Sequence, residues 1–221
     1  MQVRIHYALV VKKRRLSFRS DILEAQSALS FLEVLESNKK IEDLMIEDDT
    51  GDHYTPKLFR KRLAKVAEEI SQLSLYFDAN WQDAKQTAGL GVVIYYYKSE
   101  KSYRIRKNLM TNLPSSNNEA EYFALFHGLE QLKALDLNPQ TIDIYGDSLV
   151  VINQLKGEWP VLDEGLNKWA DDIEHLLADL KITPTYHAIK REKNKEADRL
   201  ATTALTGVDV FSTINREAKP K

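Results

Sequence analysis

Hydrophobic and polar positions follow two different patterns, and the pattern changes near residue 70. Before that point, strict alternation over residues 3–11 predicts a strand with one buried face. Helical spacing of apolar residues follows at about 22–38 and again at about 56–72, with a strand at 41–47 between them. These segments predict a small α+β domain over residues 1–70.

The second part of the chain has the pattern of a mixed sheet. The order of its segments is β-β-β-α-β-α-α-β-α, with β-branched and aromatic strands and amphipathic helices. This order predicts an α/β domain over residues 71–206, built on a mixed five-stranded sheet with helices on its faces. The remaining residues, 207–221, are polar, and we expect them to form a flexible tail.

Four acidic residues occupy unusual positions in this second pattern. Glu121 lies at the head of the apolar stripe of a helix, where a charge is costly unless it is paired or binds a metal. Asp78 and Asp147 each end a strand, and Asp198 lies within the last helix. Ligand sites in α/β sheets lie at strand ends, so we expect these four carboxylates to converge at one edge of the sheet.

The chemistry of this set indicates the kind of metal. The chain has no cysteine, and no group of histidines accompanies the four acids. Oxygen donors alone suit Mg²⁺ or Mn²⁺ rather than zinc.

Composition and charge limit the classes of protein to which this chain can belong. The chain of 221 residues is 43% hydrophobic and has a formal net charge of −2, so no bulk positive charge indicates nucleic-acid binding. No apolar run approaches the ~20 residues of a membrane helix, and the N-terminus lacks the apolar core of a signal peptide. We therefore expect a cytoplasmic protein without membrane contact. Within the first 70 residues, positive charge is clustered at residues 12–15 and 60–62, as solvated surface or as a nucleic-acid contact.

Four motifs in order carry a resemblance to a known family. They are Phe77-Asp78, Ser116-Asn-Asn-Glu-Ala-Glu121, Tyr145-Gly-Asp147-Ser148, and the stretch Arg191-Glu-Lys-Asn194-Lys-Glu-Ala-Asp198-Arg-Leu-Ala201. Together they resemble the ribonuclease H type I family, in particular bacterial forms with an extra N-terminal domain. The resemblance covers about residues 73–206, and residues 1–70 resemble no family.

The resemblance implies an endonuclease that hydrolyses the RNA strand of an RNA–DNA hybrid with two Mg²⁺ or Mn²⁺ ions. Its catalytic and metal-binding residues would be Asp78, Glu121, Asp147 and Asp198. Substrate contacts carried over from the motifs fall on Ala79, Asn80, Asn117, Asn118, Ser148, Arg191 and Asn194.

The chain also departs from the family pattern. Ala79 replaces the usual glycine, Leu149 replaces a frequent polar amide, and residues 190–196 contain no histidine. The alternative is therefore a ribonuclease H-like nucleic-acid-binding protein with weak or no activity. The 3′–5′ exonucleases carry Asp-x-Glu on the first strand, whereas Asp78 is followed by Ala79 and Asn80. The sequence therefore disfavours that activity.

The basic protrusion that grips the hybrid in some members is missing as well. Two roles are therefore open for the first 70 residues. They could grip the hybrid through their basic clusters, or they could form a protein contact such as a dimer.

Overall fold

The structure is a computed structural model that describes residues 1–135 and 137–216. It contains two compact units, Met1–Glu68 and Glu69–Lys221. No helix in the described part of the chain has the length and apolar character that crossing a bilayer requires.

The first unit is a sheet with two helices. Its elements are β1 (Gln2–Val11), β2 (Arg14–Arg19), β3 (Leu23–Glu24), α1 (Ala25–Ser37), β4 (Ile41–Asp48), β5 (His53–Tyr54) and α2 (Pro56–Glu68). The strand order is β2-β1-β4-β5, β3 pairs with the start of β1, and the pairings are antiparallel. The alternation along β1 buries Val3 and Ile5 in a core that includes Leu32 and Phe59 from the helices.

The second unit is built on a larger sheet. Its elements are β6 (Ser71–Gln82), β7 (Thr87–Lys98), β8 (Lys101–Thr111), α3 (Asn117–Leu132), β9 (Gln140–Gly146), α4 (Leu149–Leu155), α5 (Glu164–Asp179), β10 (Ile182–Ala188), α6 (Lys195–Ala204) and β11 (Phe211–Arg216). The strand order is β10-β9-β6-β7-β8-β11, in which β9 runs parallel to both β6 and β10. The predicted mixed α/β fold is confirmed.

The sheet has six strands instead of the five expected, because part of the expected tail is ordered. Phe211–Arg216 forms β11 and pairs antiparallel with β8. The buried side chain of Asn108 guides the chain into this strand: its Oδ1 accepts from the Val210 N–H at 2.7 Å, and its Nδ2 donates to the Val208 carbonyl at 2.9 Å. The strand also pairs backbone groups of β8 that would otherwise lie at a sheet edge. Residues 217–221 lie outside the described residues.

Helices pack on both faces of this sheet. The main core lies between the sheet and α3, α4 and α5, and it includes Leu75, Phe77, Leu125, Ile144 and Ile173. Helix α6 packs on the opposite face, where Ala197 and Leu200 contact Val93. The sheet therefore separates the helix that carries Glu121 from the helix that carries Asp198.

Two glycines of β7 allow α6 to approach the sheet backbone directly. A Cβ atom added at Gly91 would lie 2.0 Å from the Ala197 carbonyl oxygen and 2.6 Å from the Ala201 nitrogen. At Gly89 it would lie 2.1 Å from the Ala201 carbonyl oxygen. These are backbone atoms, so a side chain here could be accommodated only by displacing the helix.

Gly91→Ala is therefore expected to destabilise the second unit by about 3 kcal/mol, as overpacking does in a tight core. The measurement is urea unfolding of the full chain. Gly165→Ala in α5 is the matched control, because its added Cβ would meet only the side-chain oxygen of Asp163, at 3.1 Å. If both variants unfold at the same urea concentration, the close packing of α6 does not matter energetically.

Candidate active site

Three of the four predicted carboxylates meet at one edge of the larger sheet. One ligand oxygen each from Asp78, Glu121 and Asp147 lies within 4.8 Å of the other two. Asp78 lies on β6 and Asp147 directly after β9, and these neighbouring strands run parallel with Tyr76 opposite Tyr145. Asp78 and Asp147 each lie two residues beyond this pair, so their side chains reach the same edge of the sheet, as in other α/β ligand sites. Asp78 does not end its strand as predicted, because β6 continues to Gln82 in its pairing with β7.

Glu121 reaches this edge because the start of α3 is held in place. The Ser116 hydroxyl caps the helix by accepting from the Glu119 N–H at 3.2 Å. In return, the Glu119 carboxylate accepts from the Ser115 N–H at 2.8 Å and from the Trp169 indole N–H at 3.0 Å. These contacts fix the first turn of α3 against α5 and direct Glu121 towards the strand ends.

Burial and mutual repulsion perturb two of these carboxylates strongly. Asp78 is only 4% exposed and Glu121 only 6%. Burial, followed by the charges of Asp147 and Asp198, raises the pKa of Asp78 to about 8. Burial, followed by the charges of Asp78 and Asp147, raises the pKa of Glu121 well above its ordinary value. Both shifts favour the protonated form of Asp78 and Glu121.

The cluster fits a hard divalent cation. The Oε2 atom of Glu121 is shielded from solvent and has no hydrogen-bond partner among the described residues. A buried oxygen without a donor is costly, and a cation between the three carboxylates would remove that cost and their repulsion together. Carboxylate oxygens without nitrogen or sulfur ligands match Mg²⁺ or Mn²⁺.

The fourth predicted carboxylate, Asp198, is placed differently. It lies in the first turn of α6 and is not part of the group within 4.8 Å. Its Oδ1 accepts from Arg191 Nε at 3.0 Å and also from Arg191 Nη2. The two groups form an exposed ion pair, in which the side chain of Arg191 is 71% exposed. Asp198 is near enough to contribute to the raised pKa of Asp78.

We predicted that Asn194 contacts substrate, but in the structure this residue is buried. It is 1% exposed, and its Nδ2 donates to the Phe77 carbonyl at 2.8 Å and to Asp147 Oδ1 at 3.1 Å. The backbone carbonyl of Asn194 accepts from the Asp198 N–H at 3.1 Å. Asn194 therefore links the strand segment before Asp78, the Asp147 carboxylate and the start of α6. It positions the acidic residues instead of facing a substrate.

The other residues predicted to contact substrate surround the cluster at the surface. Ala79 and Asn80 are half-buried on β6. In the first turn of α3, Asn117 is exposed and Asn118 is half-buried. The Ser148 hydroxyl caps α4 by accepting from the Val151 N–H at 3.4 Å. Leu149, one of the departures from the family pattern, is 59% exposed.

Several residues that build the site were not predicted from the sequence. The glycines of β7 could have been recognised from the sequence, because a glycine inside a strand marks a close approach of another backbone. Gly146 is a similar case, since an added Cβ there would lie 2.5 Å from the Phe77 ring. The contact between Glu119 and Trp169 joins distant parts of the chain and has no local signature.

The strand order, the helix on the far face and the acidic cluster at the strand ends define a ribonuclease H-like protein. The pattern of the reverse transcriptase-like family matches residues 76–204, which is more than half of the chain. The chain therefore belongs to this family, and its predicted relation to ribonucleases H is confirmed.

Two individual relatives match this chain over different lengths. The uncharacterized protein YpeP of Bacillus subtilis strain 168 is 42% identical over 184 residues, which is 83% of this chain and 81% of YpeP. That match is longer than the second unit alone, so it includes part of the first. Ribonuclease HI of Halobacterium salinarum is 36% identical over 91 residues, 41% of this chain and 44% of that protein.

A solved structure supports the same fold. The crystal structure of RNase H1 from Halobacterium salinarum NRC-1 matches with a TM-score of 0.52 and 25% identity. The match covers 62% of this chain and all of the Halobacterium chain (100%).

Proposed function

We propose that this protein is a metal-dependent endonuclease that hydrolyses the RNA strand of RNA–DNA hybrids. The observation that carries the proposal is the convergence of Asp78, Glu121 and Asp147 at the sheet edge, with a buried Glu121 oxygen that has no partner in the part of the chain that the structure describes. Membership of the ribonuclease H-like family supports this reaction over others that an acidic cluster could perform.

In this proposal Asp78, Glu121 and Asp147 hold the cations, and Asp198 completes the set. Two bound Mg²⁺ or Mn²⁺ ions supply activation of the attacking water and stabilisation of charge on the leaving oxygen. Asn194 donates to Asp147 and so fixes which of its oxygen lone pairs point into the site. Arg191 pairs with Asp198 and is exposed enough to swing away, which lets Asp198 turn towards the cluster.

Recognition of RNA in this proposal depends on the start of α3. Asn117 and Asn118 lie in the same first turns of α3 as Glu121, on the solvent side. Amide groups there can donate to base edges or sugars in a minor groove. Glu121 can accept from a 2′-hydroxyl group, which distinguishes RNA from DNA.

The first unit offers a hybrid less positive charge than its sequence suggests. Arg60 is held by Glu36 at 2.6 Å, and Arg15 pairs with Asp43. Arg62 lies 3.6 Å from Asp48. These pairs engage three of the seven basic side chains in the two clusters, so a phosphate contact of the first unit would fall on Lys12, Lys13, Arg14 and Lys61.

The test uses an end-labelled RNA–DNA hybrid, with single-stranded and double-stranded RNA in parallel reactions. The full chain is added with Mg²⁺, with Mn²⁺ or with a chelator, and Asp78→Asn is the inactive control. We expect cleavage of the RNA strand of the hybrid only, dependent on the metal and absent in the variant.

A second candidate function is a ribonuclease H-like binder without activity, which Ala79 and the exposed Leu149 favour. Binding of the hybrid without cleavage, with either metal, would support the binder and contradict the endonuclease. Replacement of Leu149 by Gln then tests whether the lost amide is the cause.

A further inference from the structure

Three side chains of metal-binding types lie together in the first unit, which the proposed nuclease activity does not use. One ligand atom each from His6, Glu47 and His53 lies within 4.8 Å of the other two. The Nε2 atom of His6 is 2.7 Å from Glu47 Oε2, and the two imidazole rings are 5.7 Å apart between centroids. Neighbouring Val3 and Ile5 point into the core, so alternation places His6 on the opposite face of the sheet, away from the helices.

Strand register brings these three residues together from separate strands. Glu47 on β4 lies directly opposite His53 on β5 and opposite Arg4 on β1. His6 is two residues beyond Arg4 on the same face of β1, which makes it a diagonal neighbour of Glu47. The arrangement spans three adjacent strands and is set by backbone hydrogen bonds instead of flexible loops.

The turn before His53 fixes the orientation of its ring. His53 Nδ1 lies 3.1 Å from the Gly51 carbonyl oxygen. A carbonyl oxygen can only accept, so Nδ1 carries the proton and the lone pair of the neutral ring is on Nε2. An imidazole whose other nitrogen donates to a backbone carbonyl is the usual arrangement of a metal-binding histidine.

Several hydrogen bonds hold the turn between β4 and β5 in place. The Asp48 carboxylate accepts from the N–H groups of Thr50 and Asp52, each at 3.0 Å, and from the Tyr54 hydroxyl at 3.0 Å. The Thr50 hydroxyl also donates to Asp48 Oδ1, at 2.6 Å. Gly51 has a φ of +87°, which a glycine adopts without strain. Glu47 and His53 are thus largely positioned before any ion binds, whereas His6 Nε2 donates to Glu47 Oε2 and releases that proton to water when a cation takes its place.

One group competes with a cation at this place. Arg19 Nη2 donates to Glu47 Oε2 at 2.8 Å. The side chain of Arg19 is 52% exposed, so it can move aside or shift to the other oxygen of this carboxylate, Oε1, and leave Oε2 to the cation. Arg19 is expected to weaken cation binding without preventing it.

We propose that His6, Glu47 and His53 form a zinc site that joins β1, β4 and β5 of the first unit. Two imidazole nitrogens and one carboxylate oxygen are a common set of three protein ligands for Zn²⁺, with the fourth position taken by water. The acidic cluster of the second unit offers oxygen atoms only and favours Mg²⁺. The chain thus has two metal sites of different chemistry, one in each unit.

The experiment is calorimetric titration of the full chain with Zn²⁺, in saturating Mg²⁺ and in an Asp78→Asn background that weakens the acidic cluster. One Zn²⁺ is expected to bind, and His6→Ala or His53→Ala should each weaken binding by more than about tenfold. His175→Ala, which removes an exposed histidine of α5, should leave the affinity unchanged. Arg19→Gln should strengthen it.

Spectroscopy of the same variants with Co²⁺ gives an independent readout. Intense visible absorption of four-coordinate Co²⁺ is expected in the parent protein and in His175→Ala, and its loss is expected in His53→Ala. Circular dichroism checks that each variant remains folded. The proposal is overturned if no Zn²⁺ binds, or if folded His6→Ala and His53→Ala proteins bind it as tightly as the parent does.

Discussion

Asp78→Asn is expected to make the metal-free protein more stable while it removes the proposed nuclease activity. The unfolded chain releases the proton of Asp78 near its ordinary pKa of 3.8, whereas the folded protein retains it up to about pH 8. Between these pH values the unfolded state binds fewer protons, so the contribution of Asp78 to stability declines as the pH rises. Asparagine does not ionise and therefore avoids this decline.

The expected gain at pH 8 is on the order of 4 kcal/mol in the free energy of unfolding, and it should vanish near pH 4. The measurement is urea unfolding of both proteins with a chelator at several pH values. Added Mg²⁺ should stabilise the parent protein and not the variant, because only the parent retains the full ligand set. Asp83→Asn, at an exposed acid outside the cluster, is the control. Equal pH dependence of the parent and Asp78→Asn would contradict the buried, mutually repelling cluster.

Asn194→Ala is expected to reduce hybrid cleavage by about 10- to 100-fold, the usual effect of removing a group that orients a metal ligand. It should also destabilise the second unit by about 2 kcal/mol, because the buried Phe77 carbonyl loses its donor. The Mg²⁺ concentration that gives half of the maximal activity should rise, since Asp147 is no longer held. That last readout separates positioning of the site from a general loss of folded protein.

Two further variants complete this prediction. Asn194→Asp retains the shape but places a fifth carboxylate beside Asp147, and we expect a larger loss than in Asn194→Ala. Asn167→Ala, at an exposed position of α5, is the control and should leave both stability and cleavage unchanged. An Asn194→Ala protein with an unchanged Mg²⁺ requirement would show that Asn194 does not position the ligands.

These two predictions describe one feature of the site. Asp78 and Glu121 cost stability because they are buried beside other acids, and a bound cation offsets that cost. Asn194 and the glycines of β7 stabilise the surrounding fold and hold the strand ends and α6 in position. The site is thus a strained acidic cluster supported by a tightly packed frame.

Much of the fold was predictable because its signals are local. Alternation along the strands and the apolar stripe of α3 depend only on near neighbours in the sequence, and they located Glu121 as a charge in an apolar position. Asp78 and Asp147 were recognisable because each ends a β-rich run of the sequence, although β6 itself continues past Asp78 to Gln82. The zinc ligands of the first unit were not recognised, because His6, Glu47 and His53 become neighbours only through strand register.

The sequence alone therefore determined the order of the strands and helices over residues 71–206, the family resemblance and the acidic residues at the sheet edge. Tertiary structure decided which of these acids meet, since Asp198 pairs with Arg191 while the other three converge. It also decided that Asn194 is a buried link and that residues 211–216 form a sixth strand held by Asn108. The physical reason is the same in each case: these outcomes depend on hydrogen bonds and charges between residues that are distant in sequence, which local patterns do not encode.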